Sequence, residues 1–148
     1  MPVTASPVQP ASNVTPIGTG GDASHAHKVQ TWFDGALVDA DALQAGLNTH
    51  AMHYGSGVFE GIRAYATANG AAVFRLPEHL ERMRKGAELL GLAFDAQQTT
   101  EAVLATLRAN QHRDAYIRPL AWAGEGSFGL DVEGHVQHLV VATTAARV

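Results

Sequence analysis

Residues 58–67 alternate with a period of two, and this alternation predicts a β-strand with two unlike faces. One face carries Phe59, Gly61, Arg63 and Tyr65. Glycine inside a strand often marks the close approach of a ligand, and arginine offers a planar fork to carboxylate or phosphate. This face therefore suits the floor of a pocket for an anionic small molecule. The alternative is an ordinary sheet with a bulge at Gly61 and an exposed Arg63.

Two turn signals place this strand in an antiparallel sheet. Asp34-Gly35 lies between two short apolar runs, and Asn69-Gly70 lies between the alternating strand and a returning strand. Such dipeptides are typical of hairpin turns, because their backbones reach positive φ at low cost. Two hairpins in succession predict antiparallel pairing.

Two helices and two further strands are expected after these hairpins. Pro77 opens the first helix, whose apolar residues recur at helical spacing, and Gly91 is its expected end. Thr99 or Thr100 caps the second helix. Further strands are expected at residues 114–123 and 135–144. The sequence thus predicts an α+β fold, an antiparallel sheet with two helices on one face in a two-layer sandwich.

Composition limits the class of partner. The 148 residues suffice for one domain, and the chain contains no cysteine, which fits a cytoplasmic protein. The net charge of −4 and the lack of a long basic run argue against nucleic acid, and no apolar run is long enough to span a membrane. Residues 1–28 are mostly small residues and proline, and we expect a disordered extension there, ahead of a domain at residues 29–148.

A second strand repeats the combination of an aromatic ring and a cation. Tyr116 and Arg118 share one face of the predicted strand at residues 114–123, and together suit a carboxylate. The alternative is a surface arginine beside a half-buried tyrosine. Pro119 cannot donate to a β-ladder, so the strand is expected at a sheet edge or a bulge.

Several other motifs receive weaker interpretations. Residues 124–129 match G-x-G-x-x-G, but no helix follows, so we expect a mobile glycine-rich loop able to close over a pocket rather than a nucleotide site. His50 and His53 lack a suitable third ligand nearby, and no metal site is expected. Spacing alone makes Arg82 a structural residue beside the apolar stripe of the first helix.

Five motifs together resemble the branched-chain amino acid aminotransferases, fold-type IV enzymes that depend on pyridoxal 5'-phosphate (PLP). The most specific is the twelve-residue run YGSGVFEGIRAY, which begins at Tyr54. The others agree with the family in order and spacing: Trp32-Phe33-Asp34-Gly35, Val73-Phe74-Arg75, Glu78-His79-Leu80-Glu81-Arg82-Met83 and Ala115-Tyr116-Ile117-Arg118-Pro119. The likeness extends from Val29 to about Thr144.

The resemblance implies a cofactor and a subunit partner. Arg82 would bind the PLP phosphate, which replaces its structural interpretation. Tyr54 would reach the pocket of a partner subunit, and Leu130 would add an apolar contact across a homodimer or higher homo-oligomer. The expected small molecules are amino acid and 2-oxo acid substrates.

The resemblance also assigns a substrate pocket. Phe59, Gly61 and Arg63 would line it, and Tyr116 and Arg118 would hold substrate carboxylates. Arg118 suits the side-chain carboxylate of glutamate. Such a pocket accepts an aliphatic side chain and then a charged one, so it needs an apolar wall and a reachable cation.

One departure concerns the lysine that forms the Schiff base in this family. The chain contains only Lys28 and Lys85, and neither matches the family's lysine. We therefore expect no catalytic lysine here, and a chain corresponding to the small N-terminal domain alone, cut before the large PLP-lysine domain. We expect no transamination by this chain unaided.

Two alternatives remain beside the branched-chain enzyme. A D-amino acid aminotransferase or an aminodeoxychorismate lyase has the same fold, although the residues from Phe59 to Arg63 and the Tyr116-x-Arg118 pair favour the branched-chain enzyme. A non-catalytic dimerisation or binding module accounts for the missing lysine but not for the retained Arg82, Phe59 and Arg118.

Overall fold

A computed structural model describes residues 28–146, so the predicted extension lies outside the described residues except for Lys28. Seven strands and three α-helices, with a short 3-10 turn at Ala40–Ala42, make up the described range. In chain order they are β1 Gln30–Phe33, β2 Ala36–Asp39, α1 His50–Tyr54, β3 Gly57–Phe59, β4 Ile62–Thr67, β5 Gly70–Val73, α2 Leu76–Leu89, α3 Ala96–Ala109, β6 Ala115–Ala123 and β7 Gln137–Ala145.

The strands form one antiparallel sheet in the order β2-β1-β7-β6-β4-β5, and β3 also pairs with β6. Helices α2 and α3 pack on one face, where strand residues such as Ile62 and Ile117 meet Leu80 and Val103. The predicted α+β fold, with two helices on one face of an antiparallel sheet, is confirmed. We call the other sheet face the open face, because neither α2 nor α3 covers it.

The helix boundaries follow local chemistry that the sequence shows only in part. Helix α2 begins at Leu76 with Pro77 in its first turn, and Gly91 beyond its end has a φ of +68°. Helix α3 begins at least four residues earlier than predicted, because Asp95 caps it by accepting hydrogen bonds from the backbone amides of Gln97 and Gln98. The predicted cap at Thr99 or Thr100 is therefore wrong.

The predicted strand at residues 58–67 is interrupted between β3 and β4, yet its register against β6 does not shift. The Glu60 amide donates to the Pro119 carbonyl at 3.1 Å. Pro119 has no N–H to donate to the Glu60 carbonyl in return, so the β-ladder is interrupted at this pair. The prediction that Pro119 marks a sheet edge or a bulge is wrong, because β6 is central, its register continues past this proline, and the proline is fully buried.

Helix α1 is a short element that the sequence did not predict. It covers residues 50–54 and ends at Gly55, whose φ of +66° suits glycine in the left-handed region. Within residues 28–146, no helix has the length and apolar character needed to cross a bilayer. In the same range, no group of three or more His, Asp or Glu side chains is arranged to hold a metal ion.

Candidate substrate and phosphate site

Four predicted residues meet on the open face. The Arg118 guanidinium carbon lies 4.4 Å from the centroid of the Phe59 ring, within the range of a cation–π contact. Arg118 Nη2 donates to the Tyr116 hydroxyl at 2.6 Å. A Cβ at Gly61 would lie 2.5 Å from that hydroxyl oxygen, so glycine leaves the space that Tyr116 fills. Phe59 and Gly61 of the first predicted strand thus form one cluster with the Tyr116 and Arg118 pair of the second.

Arg63 lies on the same face, opposite Tyr116 in the β4–β6 register. Its guanidinium carbon is 5.8 Å from the centroid of the Tyr65 ring. Within residues 28–146, neither Arg63 nor Arg118 pairs with a carboxylate. Two cations without carboxylate partners on one face suit an anionic ligand.

An apolar hollow of about 430 Å³ adjoins this cluster and shares Phe59 with it. Its walls come from α1 and the residues before it, from β3 and from the open face of β6. The lining includes Ala51, Met52, Gly57, Phe59, Leu120 and Trp122. The cation can therefore bind a carboxylate, while the neighbouring hollow can hold an aliphatic side chain.

Arg82 lies on the other side of the same strand. Its Nε and Nη2 atoms donate to the two carboxylate oxygens of Glu60 at 2.6 and 2.7 Å. Glu60 projects towards the helices and is 5% exposed, and His79 Nδ1 lies 2.9 Å from its Oε2. The Arg82 side chain itself is 72% exposed. Arg82 therefore does not join the open-face cluster directly, but is tied to the residue between Phe59 and Gly61.

Charge explains why Glu60 tolerates burial. The hydrogen bonds from Arg82 hold the pKa of its carboxyl below the usual value, against the opposing effect of burial, and His79 adds to the lowering. The same contact raises the pKa of the Arg82 guanidinium. The Glu60 carboxylate is thus ionised and fixes one edge of the Arg82 fork.

The free edge of Arg82 fits a phosphate group. Within residues 28–146, its Nη1 atom has no hydrogen-bond partner. A hollow of about 290 Å³ beside it is lined by Phe74, Arg75, Glu78, His79 and Arg82. An arginine offers two donor edges, and the edge not taken by Glu60 remains available to phosphate oxygens.

Tyr54 is the last residue of α1, and Leu130 lies on the loop after β6. The Tyr54 hydroxyl donates to the Phe128 carbonyl at 3.3 Å. Leu130 follows two residues later and is 84% exposed. The two lysines pair elsewhere: Lys28 with Asp39 at 2.7 Å, and Lys85 with Glu81 at 3.6 Å.

Glu60 and His79 are site residues that the sequence motifs did not identify. A carboxylate at a buried position of an alternating strand was a usable signal, because buried acids are nearly always paired. The basic partner could then have been sought on the helix packed against that strand, where His79 and Arg82 are three residues apart.

Comparison with known proteins places the chain in a family. Residues 57–147 match the family model described as amino-transferase class IV. The chain is 38% identical over 113 residues to the branched-chain-amino-acid aminotransferase of Pseudomonas aeruginosa, an alignment that covers 75% of this chain and 37% of that protein. The chain therefore belongs to the class IV aminotransferase family. It spans well under half the length of this relative.

Solved structures agree with this assignment. The branched-chain amino acid aminotransferase from Thermoproteus uzoniensis with norvaline superposes with a TM-score of 0.74 at 38% identity, covering 79% of this chain and 40% of that chain. A second branched-chain amino acid aminotransferase, complexed with N-(5'-phosphopyridoxyl)-L-glutamate, gives a TM-score of 0.76 at 38% identity, covering 80% and 41%. The sheet with its two helices is thus the fold of part of these enzymes.

Substitution of Gly61 by alanine is expected to damage the open-face cluster. The new Cβ would meet the Tyr116 hydroxyl and push it off Arg118, at a cost of about 1 kcal/mol or somewhat more. Urea unfolding measures the loss, and the NMR signals of the Tyr116 ring report the displacement. Gly46→Ala is the matched control, because its Cβ would make only ordinary contacts with Glu125. Equal effects of both substitutions would contradict the role assigned to Gly61.

Acid is expected to weaken the fold partly through Glu60. Its folded pKa lies below the ordinary value of 4.5, so its stabilising effect is present above pH 4.5 and is lost as the pH falls below that value. In Glu60→Gln the free energy of unfolding should fall less steeply with decreasing pH, by a slope that corresponds to at most about one bound proton. Denaturant unfolding between neutral pH and about pH 3 provides the measurement. Glu133→Gln is the control, and an unchanged acid dependence in Glu60→Gln would contradict the prediction.

Proposed function

We propose that this chain forms the substrate-carboxylate and cofactor-phosphate side of a branched-chain amino acid aminotransferase. The proposal depends on the environment of Arg118, which has no carboxylate partner within residues 28–146. Its guanidinium stacks on Phe59 and donates a hydrogen bond to the Tyr116 hydroxyl, and an apolar hollow lies beside Phe59. The reaction would exchange amino groups between leucine, isoleucine or valine and 2-oxoglutarate. The relatives named above support this substrate class.

The proposed cofactor is PLP. When bound, it supplies an electrophilic aldehyde and an electron sink for the bond broken at the substrate Cα. Arg82 would hold the phosphate through the edge of its guanidinium that Glu60 leaves free. Glu60 and His79 keep that side chain against the strand that also carries Phe59 and Gly61 on its other face.

The two substrate types make opposite demands on one pocket. A branched aliphatic side chain loses water against Phe59 and the apolar lining of the neighbouring hollow. The glutamate side chain instead needs a cation, and Arg118 is within reach on the same face. Tyr116 orients the Arg118 fork, Gly61 makes room for that hydroxyl, and Arg63 adds positive charge to the face.

The proposal includes the rest of the assembly. Residues 29–148 act as the small domain, and the lysine that forms the Schiff base comes from polypeptide outside these 148 residues. The working enzyme is a cytoplasmic homodimer or higher homo-oligomer, in which Tyr54 and Leu130 reach the site of the partner subunit. Lys28 and Lys85 take no part, consistent with their pairing to Asp39 and Glu81.

A chimeric enzyme tests the proposal. The segment of the Pseudomonas aeruginosa relative that matches this chain is replaced by residues 29–146, and transamination of leucine with 2-oxoglutarate is measured. Activity would support the assignment. Activity on D-alanine without activity on L-leucine would contradict it, as would a folded, PLP-loaded chimera that turns over neither substrate. Circular dichroism and the cofactor absorbance confirm folding and loading.

A further inference from the structure

The glycine-rich loop, residues 124–130, is held by three side chains. His135 Nε2 lies 3.0 Å from the Ser127 carbonyl oxygen, the Tyr54 hydroxyl donates to the Phe128 carbonyl, and His50 Nε2 lies 3.0 Å from the Gly129 carbonyl. The accepting carbonyls belong to three consecutive residues. A loop expected to be mobile is therefore anchored at its centre, and two of its three anchors come from α1.

The base of the loop is tied to the same helix. The His50 amide donates to the Gly124 carbonyl at 2.8 Å, and Thr49 forms an isolated bridge with Glu125. At the other end of α1, the Ser56 carbonyl accepts from the Ala123 amide at 2.9 Å. Helix α1 and the loop thus share backbone contacts as well as side-chain contacts.

His50 connects these two sets of contacts. It is 2% exposed, and its Nδ1 lies 2.6 Å from Ser56 Oγ while its Nε2 faces the Gly129 carbonyl. A carbonyl only accepts, so the network assigns a proton to Nε2. In the neutral ring, Nδ1 then accepts from the Ser56 hydroxyl. The ring also lies 4.6 Å from Tyr54, centroid to centroid.

We propose that His50 is a positioning residue that joins α1 and the glycine-rich loop into one unit, so that Tyr54 and Leu130 are presented together. Tyr54 follows His50 by one helical turn, and Leu130 follows Gly129 directly. One buried ring therefore sets both positions. The joint presentation follows from the contacts, whereas the purpose of Tyr54 and Leu130 at a partner's site rests on the proposed function.

Two substitutions of His50 separate its two hydrogen bonds. The amide of Gln reaches the position of Nε2, so His50→Gln retains a donor to the Gly129 carbonyl. The shorter amide of Asn occupies the position of Nδ1, so His50→Asn retains the contact with Ser56 and loses the contact with the loop. His112→Asn is the control for loss of a part-buried histidine far from the loop.

Backbone ¹⁵N relaxation of the 148-residue chain is the measurement. In the unsubstituted chain and in His50→Gln, we expect Gly129 and Leu130 to have order parameters of about 0.85. In His50→Asn, we expect these order parameters to fall below about 0.6. His112→Asn should leave them unchanged. A rigid Leu130 in His50→Asn, or equal loosening in both His50 variants, would overturn the proposal.

The imidazole ¹⁵N signals of the unsubstituted chain provide a test that needs no variant. We expect the His50 proton on Nε2, with Ser56→Ala changing the Nδ1 signal. A proton found on Nδ1 alone would overturn the proposal even if His50→Asn fails to fold. Because these measurements use neither cofactor nor substrate, their failure would leave the aminotransferase proposal intact. An inactive chimera with a rigid loop would reject only the proposed function.

Discussion

Replacing Arg118 with methionine in the chimeric enzyme is expected to lower kcat/KM for glutamate about ten- to a hundredfold, with kcat/KM for leucine changed only a few-fold. The factor corresponds to loss of one charge-assisted hydrogen-bonded contact with a carboxylate. Methionine keeps an apolar contact with Phe59, because its sulfur packs favourably against aromatic rings. The aliphatic part of the pocket should therefore survive. Steady-state kinetics with each amino donor provides the measurement.

The controls separate charge from packing. Arg113→Met removes an arginine that donates to the Thr67 carbonyl rather than to a residue of the open-face cluster, and it should change neither substrate's kcat/KM. Arg118→Lys keeps the charge but loses the planar fork, so glutamate turnover should fall less than in Arg118→Met. Parallel losses for leucine and glutamate in Arg118→Met would mean that Arg118 holds the carboxylate common to both substrates, and the assigned specificity would be wrong.

Local periodicity was sufficient to predict most of the fold. The alternation at residues 58–67 correctly separated Ile62 and Ala64, which are buried against the helices, from Phe59 and Arg63, which are exposed on the open face. Side chains on a strand alternate whatever the strand packs against, so this property needs no tertiary information. The turn at Asp34-Gly35 was predictable for the same reason, because its backbone preference is local.

The secondary-structure predictions were wrong where the local structure depends on residues that are distant in the sequence. Pro119 lies in a central strand because its missing donor faces the interruption between β3 and β4, and no local rule reports what lies opposite a residue. Helix α1 is only five residues long, and isolated helices of this length are not stable. Its backbone and side-chain contacts with the loop after β6 stabilise it instead.

The candidate site shows the same division. The open-face cluster was predictable, because Phe59, Gly61, Tyr116 and Arg118 lie on two strands with regular alternation. The environment of Arg82 was not, because it depends on how α2 packs on the sheet. Helical spacing could not distinguish an exposed arginine from one clamped by a buried carboxylate. The Glu60 contact now gives Arg82 a fixed position at the strand that carries Phe59 and Gly61.

Replacing Arg82 with glutamine in the chimeric enzyme is expected to weaken PLP binding about ten- to a hundredfold. The phosphate would lose the free edge of the guanidinium, a charge-assisted contact that a neutral amide does not replace. Dialysis followed by absorbance measures the retained cofactor, and titration with PLP gives the dissociation constant. Saturating PLP should restore most of kcat, because Arg82 acts in binding rather than at the reacting atoms.

Arg84→Gln is the matched control, since Arg84 lies two residues further along α2 and pairs with the exposed Glu81 and Glu88. It should leave the PLP dissociation constant unchanged. Glu60→Gln tests the clamp separately: Arg82 keeps its charge but loses its fixed orientation, so PLP binding should weaken less than in Arg82→Gln. Equal PLP affinities in Arg82→Gln and Arg84→Gln would mean that the phosphate lies elsewhere, because a guanidinium that binds it cannot be removed without a measurable loss.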